Sequence, residues 1–181
     1  MNKFKIRSKI LKRRKNNINK NLKIDPNKFI SFIKFKKYSF KNLGGYYPSN
    51  YEIDDLHILE LFEKKNYNIL LPKIGKNNQM DFFKWSNNDP LKLNKYGIPE
   101  PVLSKIFYPD ILLVPLVSYD NDLNRLGYGG GFYDRYIEKI EKIKKVIKIG
   151  LAFSYQKLNT VPANKYDKKL DFIFTEKEVL K

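Results

Sequence analysis

The residues best suited to chemistry lie between Arg125 and Arg135, which read Arg-Leu-Gly-Tyr-Gly-Gly-Gly-Phe-Tyr-Asp-Arg. Four of the nine glycines, Gly127, Gly129, Gly130 and Gly131, fall within five positions. Without a Cβ, such residues let successive backbone N–H groups close on a bound anion. Arg125 adds a fork of donors and Asp134 a hard oxygen ligand, so the natural cargo is phosphate with a divalent cation. The common phosphate and RNA strings fail on spacing. There is no Gly-x4-Gly-Lys; a Gly-x-Gly-x-x-Gly begun at Gly127 and Gly129 meets Phe132; an RNA-recognition string fails at Leu126 and Gly130. The plain alternative is a glycine-rich turn without a ligand, and the flanking Arg125 and Asp134 weigh against it.

Two elements must hold this segment. Upstream, the apolar run Ile111–Val117 reads as a buried strand; downstream, Ile137, Ile140, Ile143 and Ile147 recur at helical spacing. The glycines then form a strand-to-helix connection, to which the helix adds unpaired N–H groups and its positive dipole end. Residues 147–153 read as the next strand of a βαβ unit, and 171–175 as a last short one. Earlier in the chain, Asp25-Pro26 is a helix start for the apolar run Phe29, Ile30, Phe32, Ile33 and Phe35. Residues 44–48 suggest a short strand, and a second helix follows Asp55 with Leu56, Leu59, Phe62 and Leu61 inward and His57 exposed. Residues 69–74 and 80–85 look like strands joined by a polar turn; 87–95 reads as loop, and 96–101 as a rigid segment holding Glu100 between two prolines. This alternation predicts one α/β domain over 1–181, with a largely parallel central sheet flanked by helices and a ligand outside the C-terminal strand ends.

Composition bounds the function. The absence of cysteine excludes disulfides and thiol chemistry, and the single histidine excludes multi-histidine metal sites. No apolar run is long enough to span a membrane. The net charge of +17 is compatible with an anionic partner. Its even spread along the chain fits a bias toward Lys, Asn and Ile at least as well. Residues 1–20 carry no acid, and Phe4, Ile6, Ile10 and Leu11 give a short apolar side to a basic helix; a solvated surface helix and a cleaved presequence are both open readings.

The decapeptide Arg125–Asp134 closely resembles the signature of the 5-formyltetrahydrofolate cyclo-ligase family, also called 5,10-methenyltetrahydrofolate synthetases. Other strings fall in the same order: Lys3-Phe-Lys-Ile-Arg7, residues 46–54 ending in Glu52-Ile-Asp54, Leu71-Pro72, residues 80–85, Tyr96-Gly-Ile-Pro-Glu-Pro101, and residues 149–153 with Gln156, Pro162, Asp167 and Leu170-Asp171. Two departures stand out: Tyr166 where the family commonly has histidine, and Tyr51 where a small residue is usual.

The resemblance implies ATP- and Mg²⁺-dependent closure of 5-formyltetrahydrofolate to the methenyl product in a cytoplasmic monomer, with no membrane and no specific nucleic-acid partner. It assigns ATP to Lys3, Phe4, Lys5, Ile6 and Arg7, and to Arg125, Leu126, Gly127, Tyr128, Gly129, Gly130, Gly131, Phe132 and Tyr133. The folate falls to Glu52, Asp54, Tyr128, Gly129, Gly130, Gly131 and Phe132, the chemistry to Arg125 and Tyr128, and Mg²⁺ to Asp134 and Asp171. The competing class is a nucleic-acid-binding module, with the basic N-terminal helix on phosphate and Tyr128, Phe132 and Tyr133 stacking on bases.

Overall fold

In the run Ile111–Pro115, Ile111 and Leu113 pack on one side of the sheet and Leu112 and Val114 on the other, all four fully buried. A strand covered on both faces has to be apolar at every position. The computed structural model describes residues 2–17, 22–102 and 105–181. Its elements are α1 (Lys3–Asn16), α2 (Pro26–Phe35), β1 (Asn42–Gly44), α3 (Leu56–Glu63), β2 (Asn68–Ile74), β3 (Met80–Trp85), β4 (Leu91–Leu93), β5 (Pro99–Pro101), β6 (Ile106–Phe107), β7 (Ile111–Pro115), β8 (Ser118–Tyr119), β9 (Arg125–Leu126), α4 (Phe132–Glu141), β10 (Ile147–Leu151), β11 (Phe172–Phe174) and β12 (Val179–Leu180).

Eight strands form the main sheet in the order β12-β11-β10-β7-β1-β2-β3-β6. The five from β11 to β2 run parallel; β12 and β3 flank them antiparallel, and β6 pairs antiparallel with β3 at the edge. Phe29, Ile33, Ile58, Leu59 and Phe62 of α2 and α3 cover one face, and Tyr136, Ile137 and Ile140 of α4 the other. The chain leaves β1 toward β2, then returns to the opposite side of β1 with β7. Strand order therefore reverses between β1 and β7, and the crevice beyond their C-terminal ends is where an open α/β sheet takes its ligand. Over that end lies α1, whose Ile6 and Ile10 pack with Val117, Leu126 and Val161.

The α/β fold with its largely parallel centre and flanking helices is as expected, and Asp25 caps α2 by accepting from Asn27 N–H at 2.9 Å. Several local expectations change. The first strand is Asn42–Gly44, and the chain from Gly45 to Pro48 is already loop. Helix α4 stops at Glu141; Ile143 is half exposed and Ile147 belongs to β10, so the apparent four-isoleucine face spans two elements. A β8/β9 hairpin stands between β7 and the glycines, and β4 and β5 pair as a ribbon where a loop was expected. In α3 the buried set is Ile58, Leu59 and Phe62, with Ile58 in the place expected for Leu61.

Candidate active site

The glycine segment emerges from β9 and turns into α4 at the C-terminal edge of the sheet. Gly129 has φ +108° and Gly131 φ +65°, backbone that L side chains rarely adopt, so their lack of a Cβ is what permits the turn. Gly131 is the N-cap of α4 and no side chain caps the helix, while Gly129 and Gly130 are exposed. The result is an open run of backbone at a positive helix end, the arrangement expected to favour an anion.

Arg125 does not reach out as a free fork. Only 6% exposed, its guanidinium donates to the Lys168 carbonyl and, at 2.8 Å, to Asp134 Oδ1, which also accepts from Lys168 N–H at 3.0 Å. The pair thus ties β9, the first turn of α4 and the 168 segment together. Leu126 is core, behind the loop. The exposed guanidinium beside the glycines is Arg135, which lies over the Phe132 ring and donates to the carbonyls of Gly130 (2.9 Å) and Asn78 (3.0 Å). Tyr96, at the β4/β5 ribbon tip, meets the same ring edge-on at 6.0 Å.

Helix α1 brings Arg7 to the glycine loop and Lys3 to the 167 segment. Lys3 Nζ sits 2.7 Å from Asp167, and Arg7 Nε donates to the Gly127 carbonyl at 2.8 Å, with its guanidinium against Gly129. Within the same string, Ile6 is core, Lys5 is exposed, and Phe4 is 73% exposed. The basic run 12–15 holds a residue that reading the sequence missed. Arg14 is 2% exposed and donates to Leu116 O (2.7 Å), Asn50 O (3.2 Å) and the Tyr128 hydroxyl. It therefore occupies the crevice where strand order reverses. The available signal was its position, four residues beyond Ile10 and eight beyond Ile6 on the buried face of the helix.

The 46–55 loop closes the other side. Glu52 accepts from Ser49 N–H at 2.7 Å and lies beside the Tyr128 hydroxyl; burial pushes its carboxyl up, and that hydroxyl, the Ser49 hydrogen bonds and the nearby Arg14 charge oppose the shift. Asp54 does not join this group: it is exposed and accepts from Leu56 N–H at 2.9 Å at the start of α3. Its neighbour Asp55 is the buried carboxyl, accepting from Tyr46 N–H at 3.1 Å with Oδ1 unpaired, and burial holds its pKa well above the usual carboxylate range. The Tyr133 hydroxyl is also buried without a partner and lies in the field of Glu52 and Asp55; desolvation, then those charges, raises its pKa.

The two carboxylates expected to share Mg²⁺ are not brought together. Asp134 is in the first turn of α4, whereas Asp171 precedes β11, where it accepts from Lys148 N–H at 2.7 Å; the Lys148 ammonium also contacts Glu141 at the far end of α4. The reason is topological: residue 171 enters a parallel strand, and the glycines sit beyond strand exits. Among the described residues, no cluster of three His, Asp or Glu side chains could hold a metal ion. Glu100 is structural, buried with Oε2 accepting from Ile74 N–H at 3.2 Å, and Tyr166 is exposed. A surface groove of about 470 Å³ lies between the start of α2 and α3, lined in part by Asp54 and the exposed His57, away from the glycines. No helix among the described residues is long and apolar enough to cross a membrane.

Comparison with known proteins agrees with this geometry. Residues 1–176 match the 5-formyltetrahydrofolate cyclo-ligase family. The chain is 33% identical over 134 residues to the 5-formyltetrahydrofolate cyclo-ligase of Haemophilus influenzae, covering 70% of this chain and 71% of that one. Among solved structures, the 5,10-methenyltetrahydrofolate synthetase of Aquifex aeolicus superposes with a TM-score of 0.80 at 30% identity, over 100% of this chain and 93% of that one. The corresponding protein of Mycoplasma pneumoniae gives 0.70 at 25% identity, over 96% and 98%. With a family model matched over residues 1–176 and a solved structure superposed over the whole chain, the chain belongs to the 5-formyltetrahydrofolate cyclo-ligase family of enzymes.

Proposed function

We propose that this chain closes 5-formyltetrahydrofolate to 5,10-methenyltetrahydrofolate, using ATP with Mg²⁺ and releasing ADP and phosphate. The observation that carries the reading is the open glycine run at the uncapped start of α4, with Arg7 donating to its Gly127 carbonyl at 2.8 Å. Nucleotide phosphates fit there: the donors are backbone N–H groups and cations, and a Cβ at Gly127 would meet nothing within 4 Å, leaving space above the loop. In this reading Lys3, Arg7 and the amides of Gly127 to Gly131 hold the phosphates, with Phe132 and Tyr133 bordering them. Arg125 acts by fixing Asp134 and the loop. The folate lies against Tyr128, Phe132 and Glu52. For Mg²⁺ the side chains near the loop supply Asp134, too little for a protein-only site. An ion that keeps most of its waters and is held mainly by phosphate oxygens suits that donor set.

The chemical demand is to turn a formyl amide oxygen into a leaving group, and the γ-phosphoryl group supplies that when transferred to the oxygen. The N10 lone pair then forms the new C–N bond to the formyl carbon and N10 loses its proton. The C–O bond breaks with its electron pair leaving on phosphate, which carries the N10 proton away. None of these steps needs a protein nucleophile; they need the three reacting atoms held in line and the developing charge neutralised. All the residues named come from one chain, so a monomer suffices, and a cytoplasmic location belongs to the same reading. The route is tested by labelling the formyl oxygen with ¹⁸O. The label is expected in inorganic phosphate; label released to water would overturn the phosphorylated-oxygen step.

A further inference from the structure

Arg14 is a buried cation that the reaction as written does not use. A lone surface-type residue in a Lys-Arg-Arg-Lys run would be solvated, yet this side chain is 2% exposed and its Nε has no partner. Its terminal nitrogens reach three elements: the exit of β7 at Leu116 O (2.7 Å), the loop after β1 at Asn50 O (3.2 Å), and the glycine segment at the Tyr128 hydroxyl. The ring of Tyr128 lies 5.8 Å from the guanidinium carbon as well.

Hydrogen-bond direction follows from chemistry. A guanidinium only donates, so the Tyr128 oxygen accepts from Arg14 and its single proton is left for another acceptor. Glu52 is the carboxylate beside that hydroxyl, and it takes the Ser49 N–H at 2.7 Å. The direction is therefore set from Arg14 through Tyr128 toward Glu52, since a hydroxyl that accepts from a cation is polarised into a stronger donor. This line crosses the crevice from the nucleotide loop to the folate loop.

We propose that Arg14 is a positioning residue: by fixing the Tyr128 hydroxyl it aims that proton at Glu52 and joins the loop that takes the nucleotide to the loop that takes the folate. This rests on the function proposed above. Lysine at position 14 keeps the charge but cannot serve three acceptors in one plane, and Tyr128→Phe removes the hydroxyl while leaving the ring.

The experiment compares wild type, Arg14→Lys, Tyr128→Phe and the double variant in methenyl-product turnover, with melting temperatures measured alongside. Each single variant is expected to raise KM for 5-formyltetrahydrofolate by about tenfold, with a smaller change in KM for ATP. The double variant is expected to be no worse than the poorer single, because both cut the same line. Unchanged KM in Tyr128→Phe, or effects that simply add, would overturn the proposal. So would a lower melting temperature for Arg14→Lys with wild-type kinetics, which marks a purely structural arginine. If Arg14→Lys does not fold, Tyr128→Phe decides alone, since residue 128 is already 38% exposed. Absence of turnover in wild type would instead remove the function on which the inference rests.

Discussion

Replacing Gly129 with alanine places a side chain on a backbone built for none. The residue has φ +108°, and the new methyl would stand 3.3 Å from the Arg7 guanidinium carbon. Holding a non-glycine residue in such a region costs about 1–3 kcal/mol. Because the loop is exposed, the unliganded protein relaxes part of that strain by shifting, and its melting temperature falls by only about 2–4 °C per kcal/mol retained. The shift moves the amides and Arg7 off their aim, so the strain returns when nucleotide binds. If about 2 kcal/mol is restored on binding, KM for ATP rises about 30-fold. Gly127→Ala is the companion, since its methyl would meet no protein atom within 4 Å and its φ is not left-handed. It is expected to melt like wild type and still bind ATP less tightly, because the methyl enters the space assigned to phosphate. The assay is an ATP titration of turnover beside thermal melts; wild-type KM in both variants would refute the placement of nucleotide on this loop.

Three other perturbations separate roles that the sequence alone runs together. Arg125→Met leaves Asp134 facing a nearly dry neighbour, and is expected to cost about 2–4 kcal/mol in chemical denaturation, toward the lower end because Asp134 is 27% exposed and keeps Lys168 N–H. Asp134→Asn is expected to lower kcat/KM about tenfold or more, whereas Asp171→Asn, at the opposite end of α4, should leave it within about twofold; equal losses would restore the paired metal site. Asp55→Asn tests the buried carboxyl. Burial raises its folded pKa, so the folded state holds the proton longer than the unfolded chain, and stability falls as pH rises from the ordinary carboxylate range to the folded pKa. The asparagine variant should lose that dependence and be the more stable protein at neutral pH, as read from melts across pH.

The layers of the fold were legible because the pattern is redundant. Residues 111–115 are apolar without alternation, as a doubly covered strand requires, and Asp25-Pro26 carries its helix start in two adjacent residues. The boundary errors arose where periodicity crossed an element end, with Ile147 continuing a helical spacing from inside β10. Within the site, the glycine turn and the reach of Arg7 to it could be read from residue type. The commitment of Arg125 to Asp134 could not, because the Lys168 backbone that locks the pair is 34 residues from Asp134 and follows a full strand. Arg14 was legible in principle from its place on the Ile6–Ile10 face, but a run of four basic residues looks solvated unless that face is traced through it. The exchange of Asp54 for Asp55 has no sequence signal: both are acids, and helix geometry alone sends the first to solvent and the second inward.

The most direct measurement is a continuous absorbance assay for the methenyl product, with 5-formyltetrahydrofolate, ATP and Mg²⁺ each omitted in turn. Product that appears only with all three, at one ADP per methenyl group formed, is the expected result. Product formed equally well without ATP, or no product from folded protein with every component present, would contradict the proposed activity.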